Sequence, residues 1–256
     1  MFLRLPVVAL SLVLIFSRAI TAADLPGVAV VELFTSEGCS SCPPADLVLG
    51  RLVEQQAKTP SEVYCLTFHV DYWDDLGWPD RFADRRFTER QRLYGAAFKS
   101  ERIYTPQMVV NGQAEFVGSN RKLALQAITE AQTTAAEVEI TLSTQPVAGG
   151  KLKVHFDLSE SVAGRVVQVA IVETGLETKV KRGENAGSTL KHANVVRGWE
   201  SVDPQTAKSG DVIISLPRGI DWAQTRVIAF VQEQPSMRVL GACQTDFIDA
   251  VQPAGR

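Results

Sequence analysis

Strongly basic runs are missing from this chain, as are internal repeats and low-complexity tracts. Its 26 lysines and arginines are interspersed with 29 acidic residues, for a net charge of -3, so no positive surface for a polyanion is gathered anywhere. Nucleic acid is therefore not an expected partner. Past the first two dozen residues, no apolar stretch approaches the ~20 residues that cross a bilayer, so no membrane span is expected in the mature chain. Histidine is scarce at three residues, which weakens any metal-centre reading, and with only four cysteines the position of each carries weight. What remains is ordinary globular composition, 45% hydrophobic and 21% charged over 256 residues, enough for one large domain or two small ones.

Met1 to Arg4 carries one positive charge, Leu5 to Phe16 is apolar, and Ser17 to Ala23 brings small residues. This reads as a signal peptide over residues 1–23, cleaved between Ala19 and Ala23. Its apolar core is short and Arg18 interrupts it, although an uncleaved single-helix anchor is the competing reading. A secreted or periplasmic location follows, where disulfides form and persist.

The run VAVVELF from Val28 to Phe34 reads as a strand buried on both faces, with Glu32 as its one interruption. Pro43 and Pro44 fit only a first helical turn, and DLVLGRLVEQ continues a helical stripe through Leu47, Leu49, Leu52 and Val53. SEVYCLTFHV from Ser61 to Val70 reads as a second strand. A polar, aromatic-bearing segment over 71–100 suggests a surface helix, Asn111-Gly112 marks a hairpin, and a last helix starts near Ser119-Asn120. From residue 137 onward the pattern alternates as strands do, with no helix-period segment of useful length. The expected architecture is an α/β domain over 24–136 followed by an all-β, sandwich-like domain over 137–256.

Chemistry points first to Cys39-Ser40-Ser41-Cys42, set between the first strand and the first helix. A thiolate at a helix N-terminus meets unpaired backbone donors and the positive end of the dipole, which favours Cys39 as nucleophile. Cys42, one turn further in, is placed to resolve a mixed disulfide by attacking the Cys39 sulfur.

The order strand, CxxC helix, strand, helix, then Tyr104-Thr105-Pro106-Gln107, hairpin and helix resembles the thioredoxin fold over residues 28–136. VVELFTSEGCSSCPPAD, FHVDYWDDLGW, TERQRLY, YTPQMVVNG and GENAGSTLKHANVVR together resemble a family of mostly bacterial secreted proteins catalogued as domain of unknown function 1223. The thioredoxin-like resemblance implies Cys39 as attacking sulfur, Cys42 as resolving sulfur and Pro106, after Thr105, as a cis-proline presenting backbone to substrate. It also implies Glu32, near where thioredoxins keep a buried acid, as the group that takes the resolving thiol's proton; an acid at a sheet edge paired with an Arg is the alternative. The insertion over 71–100 would cover the site or shape a substrate groove.

Several residues stay open at this level. His69, at the end of the second strand, is expected to line the cleft beside Cys39, with Tyr72, Trp73 and Trp78 offering apolar contact to a peptide or merely packing the insertion. His69, Asp71, Asp74, Asp75 and Asp80 lack a recognised metal-loop spacing, so turn-forming acids at a strand end are preferred to a metal site. Cys65 and Cys243 suit either a second disulfide or two buried thiols. The polar stretch from Lys181 to Arg197 reads as a long hairpin or loop, or as one bringing Asn185 or His192 to the sulfurs. The leading expectation is an exported thiol-disulfide oxidoreductase acting on protein or peptide thiols and disulfides, without a cofactor. Its rivals are a binding module with a permanent Cys39–Cys42 staple and a copper or zinc carrier using both thiolates and His69.

Overall fold

The computed structural model describes residues 25–100 and 102–247. The expected signal peptide, residues 1–23, lies outside them. The apolar run forms β1 (Ala29–Thr35), followed by α1 (Pro43–Lys58), β2 (Val63–His69), α2 (Arg85–Ala97), β3 (Gln107–Val110), β4 (Ala114–Val117) and α3 (Arg121–Gln132). Nine strands complete the chain: β5 (Ile140–Val147), β6 (Lys151–Leu158), β7 (Arg165–Glu173), β8 (Leu176–Lys179), β9 (Thr189–His192), β10 (Val195–Val202), β11 (Ser209–Ser215), β12 (Thr225–Glu233) and β13 (Val239–Asp246). Helix starts follow local chemistry: Pro43 and Pro44 open α1, while the side chains of Asp84 and Asn120 cap α2 and α3 by accepting from Arg86 N and Leu123 N.

These strands overturn the expected fold class of a thioredoxin-like α/β domain followed by an all-β sandwich-like one. Strands from both halves join one eight-stranded mixed sheet, ordered β13-β12-β7-β10-β2-β1-β3-β4, and the described residues hold three α-helices beside it. A three-stranded antiparallel sheet, β11-β6-β5, packs against it, so the whole is a β-rich sandwich. The physical reason is β10. It lies parallel to β2 through Val195 and Thr67, and the joint is tied by Thr67 N to Asn194 O (2.9 Å), Thr67 Oγ1 to Ala193 O (2.7 Å) and Asn194 Nδ2 to Cys65 O (3.0 Å). On its other edge β10 pairs antiparallel with β7.

Alternation along a strand sends successive side chains to opposite faces. Val31 and Leu33 of β1 and Val63 and Cys65 of β2 meet Ala45, Val48 and Leu49 of α1. Val30 and Phe34, with Leu66 and Phe68, meet Phe87 and Tyr94 of α2 on the opposite face, in a core that continues through Trp199 of β10 and Phe230 of β12. The remaining face of the C-terminal strands packs Val169, Ile171, Val227 and Ala229 against Leu152, Val154 and Phe156 of the smaller sheet.

Glu32 sits in the middle of the α2 face. Arg90 reaches it from α2 with two guanidinium nitrogens, Nε to Oε2 at 2.5 Å and Nη2 to Oε1 at 2.8 Å, and the Tyr94 hydroxyl also donates to Oε1. Arg90 further donates to Gln232 Oε1 and lies over the rings of Trp199 and Phe230, 4.6 and 5.5 Å from their centroids. One buried pair thus links β1, α2, β10 and β12. Because truncating one partner strands the other charge in the core, Arg90→Met should destabilise the protein by about 3–5 kcal/mol. Adding Glu32→Leu should restore most of that loss in denaturant titrations; a double variant as unstable as the single would contradict this account.

Candidate functional site

Cys39 and Cys42 are joined by a disulfide, with Cα atoms 5.4 Å apart, between the end of β1 and the start of α1. Both residues are fully buried, at 0% exposure. Cys42 is the N-cap of α1, and its carbonyl accepts from Ala45 N and Asp46 N. With prolines at the next two positions, the first turn offers the sulfurs few free amides, contrary to the donor-rich N-terminus expected from the sequence. The dipole still points there, and the Ser41 hydroxyl lies 3.4 Å from Cys39 Sγ as a side-chain donor.

Two walls close over the bond. Trp73, from the 71–100 segment, packs against Gly38, where a side chain would meet its Cβ at 3.3 Å, and its Nε1 donates to Thr105 Oγ1 at 2.8 Å. The Thr105–Pro106 peptide is cis, and Gly118 lets Pro106 approach Ala45 of α1: a Cβ there would lie 3.1 Å from Ala45 and 3.6 Å from Pro106. The other wall is the loop between β8 and β9, which form a two-stranded hairpin. Asn185 from this loop donates through Nδ2 to the carbonyls of Glu37 (2.9 Å) and Cys39 (3.0 Å), and Glu184 accepts from Ser40 N at 3.1 Å. Both of these residues come from the polar stretch that interrupts the strand pattern.

Glu32, by contrast, is turned to the α2 side of the sheet, away from α1, and its carboxylate is occupied by Arg90 and Tyr94. Thr35 and His69 occupy the α1 parity of β1 and β2. There the structure assembles one group from His69, Asp80 and His192, which the sequence raised separately, and Glu37 and Asp46, which it did not single out. Asp80 Oδ2 lies 2.6 Å from His69 Nδ1 and accepts from Glu37 N at 2.8 Å, while Oδ1 accepts from Phe82 N at 2.9 Å. Burial opposes charge on both members of this pair, but their mutual attraction prevails, raising the His69 pKa and lowering that of Asp80. Glu37 is buried too, yet His192, Trp78 and Thr178 outweigh burial and the nearby Asp80 charge and lower its pKa; Trp78 Nε1 donates to its Oε2 at 2.8 Å.

His192 Nε2 lies 3.3 Å from Glu37 Oε1 in a geometry that forms no hydrogen bond, and its ring centroid is 5.0 Å from that of His69. Asp46 projects from the first turn of α1 towards the same place; burial raises its pKa against the pull of His192 and His69. Thr35 Oγ1, Glu37 Oε1, Asp46 Oδ1, His69 Nε2 and both His192 ring nitrogens are solvent-inaccessible and without a hydrogen-bond partner. Among the described residues no three of His, Cys, Asp and Glu are arranged to hold a metal ion. Asp71 accepts from Thr88 Oγ1 of α2 and Asp74 from Asp80 N, so these two acids are engaged within the 71–100 segment. Cys65 and Cys243 are free, and burial pushes both thiols up to about 12, with Glu62 adding to the effect at Cys243.

The sequence singles out His69, Asp80 and, in the polar stretch from Lys181, His192, but not Glu37 or Asp46; the one local signal for Asp46 is its place four residues after Cys42 and so on the same helical face. An acid in a first helical turn ordinarily reads as a dipole partner.

A buried CxxC disulfide in a β-rich sandwich, roofed by a hairpin and backed by ionisable groups, defines the class of molecule. Residues 30–232 match the family described as Protein of unknown function (DUF1223), and the chain belongs to that family. Protein AGR_C_4864 from Agrobacterium tumefaciens, known from a crystal structure, is similar at TM-score 0.60 and 26% identity, covering 85% of this chain and 94% of that one. A domain of the outer membrane lipoprotein Omp28 from Porphyromonas gingivalis aligns loosely, at TM-score 0.26 and 12% identity over 43% of this chain and 88% of that one. No curated protein matches.

The His69–Asp80 pair sets a pH window. A raised imidazole pKa contributes stability that is complete below the ordinary histidine value of ~6.5 and is lost as pH rises through the folded value. A lowered carboxylate pKa contributes stability that is complete above ~3.9 and is lost as pH falls through the folded value. The pair therefore contributes most between about pH 4 and 6.5. Asp80→Asn should cost about 3–5 kcal/mol near pH 6 and flatten the decline on both sides. Denaturant titrations from pH 3 to 9 that show parallel profiles for variant and wild type would remove this pair as the cause.

Proposed function

We propose that this protein is a thiol-disulfide oxidoreductase that works outside the cytoplasm on protein or peptide disulfides. The supporting observation is the Cys39–Cys42 disulfide at the N-terminus of α1, flanked by Trp73, Thr105 and Pro106 and placed over buried ionisable groups. In the reduced protein the Cys39 thiolate, favoured by the helix dipole and the Ser41 hydroxyl, attacks one sulfur of a substrate disulfide. That bond breaks, its electron pair leaves on the other substrate sulfur, and Cys39 is held as a mixed disulfide. Cys42 then attacks the Cys39 sulfur, closing the intramolecular bond and releasing the second substrate thiol; the substrate is reduced by two electrons and the protein oxidised by two. Run backwards, the same steps oxidise a dithiol. Trp73 and the backbone around Thr105 and Pro106 are the surfaces against which an extended peptide would lie. The apolar stretch from Leu5 to Phe16, read as an export signal, supports an oxidising location.

Complete burial of both cysteines favours a second reading, a permanent staple in a binding module. The two separate by access. In the first reading the β8–β9 hairpin must move, so weakening its attachment through Asn185→Ala should speed reduction of the bond by a small thiol several-fold.

Incubating the reduced Cys42→Ser variant with glutathione disulfide should trap one glutathione on Cys39, seen by mass spectrometry. Wild type under the same conditions should instead accumulate the internal disulfide. No adduct on the variant, together with reduction of wild type only after unfolding, would establish the staple.

A further inference from the structure

The proposed dithiol chemistry leaves a proton unassigned. Cys42 must lose one before it can attack the mixed disulfide, and the opposite reaction must return it. Glu32 is across the sheet and committed to Arg90. On the α1 side of the sheet, however, lie six solvent-inaccessible polar atoms that make no hydrogen bond, drawn from Thr35, Glu37, Asp46, His69 and His192, although Glu37 Oε1 and His192 Nε2 face each other at 3.3 Å. Leaving such atoms unpaired in the interior costs free energy, so their concentration under a single bond calls for an explanation.

We propose that Asp46 is the proton acceptor for the Cys42 thiol and that the two buried pairs, His69–Asp80 and Glu37–His192, hold its carboxylate ready for that exchange. This rests on the dithiol reading above and assigns a residue to the step that reading leaves open. Cys42 and Asp46 are four apart at the start of α1 and joined through Asp46 N to Cys42 O at 3.1 Å, which places their Cβ atoms about 5–6 Å apart on one face. Asp46 Oδ1 is closed to solvent and makes no hydrogen bond, so it is free to accept a proton.

Groups from four elements act on that carboxylate: Thr35 from β1, His69 from β2, Asp80 from the segment before α2 and His192 from β9. Glu37, from the loop after β1, acts on His69 together with Asp46 and Asp80. The carboxyls of Glu37 and Asp80 add negative charge and the imidazole of His69, paired with Asp80, adds positive charge. Burial, helped by the Asp80 charge, holds the Asp46 pKa above its ordinary value against the pull of His192, His69 and nearby Thr35, which makes the carboxyl a better match for exchanging a proton with a thiol.

The Cys42 S–H proton passes to the Asp46 carboxylate while the Cys42 sulfur bonds to the Cys39 sulfur. The bond from Cys39 to the substrate sulfur breaks and its electron pair departs on the substrate thiolate. The Asp46 proton then neutralises that thiolate, and no outside oxidant is consumed.

Two measurements on Asp46→Asn test this, with Asp46→Ala as a second variant should the amide disturb the helix start. In the first, a chemically prepared glutathione adduct on Cys39 is mixed into buffer and internal closure is followed by acid quench and mass spectrometry. Closure in Asp46→Asn should be slower by about 10²-fold near neutral pH and should rise tenfold per pH unit, where wild type levels off. A variant slower by the same factor at every pH has only lost positioning, and this overturns the proposal. In the second, Cys42 is the sole thiol at the site in a Cys39→Ser background, and its pKa is read from thiolate ultraviolet absorption. Removing the Asp46 charge should lower that pKa by about one unit or more; an unchanged titration overturns the proposal. This second readout needs no turnover, so it decides the role of Asp46 even if wild type proves inert to glutathione disulfide and the oxidoreductase reading falls.

Discussion

The buried Glu32–Arg90 pair determines which way β1 faces, and the rest of the molecule follows from that choice. Strand parity leaves only two alternatives: with Glu32 on the α2 side, Val30 and Phe34 join it there, and Val31, Leu33 and Thr35 face α1. A one-residue slip would put a carboxylate against the aliphatic face of α1 and leave Arg90 without a partner among aromatic rings. The pair also bridges elements distant in sequence, since Arg90 touches Gln232 of β12 and lies over Trp199 of β10. The same interaction that sets the register of the first strand therefore secures the sheet contributed by the second half.

From this register comes the site. Parallel pairing of β1 with β2 places Thr35 beside His69 at the ends of both strands, on the side covered by α1. The chain leaves β1 into the Cys39–Cys42 loop, so the disulfide lies directly past these side chains. The crossing from β9 to β10 then brings His192 in, and the joint between Asn194 and β2 fixes its depth. Thr35 and His69 stand on adjacent strands and Asp46 on α1, whereas Glu37 and Asp80 come from loops and His192 from the β8–β9 hairpin, so the same segments that cover the bond also complete the group behind it. Opening the hairpin would therefore disturb both.

Part of this was legible in the sequence. The alternation in KLKVHFDLS and RVIAFVQ marks β6 and β12, and the Pro43-Pro44 pair marks the start of α1, because these signals are local. The continuous sheet was not legible, because its hinge, β10, reads VVRGWESV, with Arg197, Gly198 and Glu200 breaking the alternation. Its link to β2 is one residue pair strengthened by the Asn194 side chain, which no periodicity reveals. A thioredoxin-like first half followed by a separate sandwich is what the local signals add up to when that link is unseen. Likewise the CxxC stood out, and His69, Asp80 and His192 drew separate notice, while Glu37 and Asp46 did not: each is unremarkable in its own segment, and only the topology brings the five together. Glu32 drew notice because a charge in an apolar strand is rare, yet rarity alone does not tell a proton carrier from half of a structural ion pair.

The central claim is that the Cys39–Cys42 bond opens and closes in the folded protein. Equilibrating the purified protein with glutathione or dithiothreitol buffers, with the reduced fraction read by thiol alkylation and folding monitored in parallel, tests it directly. A reversible couple between about -120 and -270 mV with the fold intact is the predicted result. A potential below about -300 mV, or reduction that occurs only as the protein unfolds, would make the bond a structural staple and contradict the account.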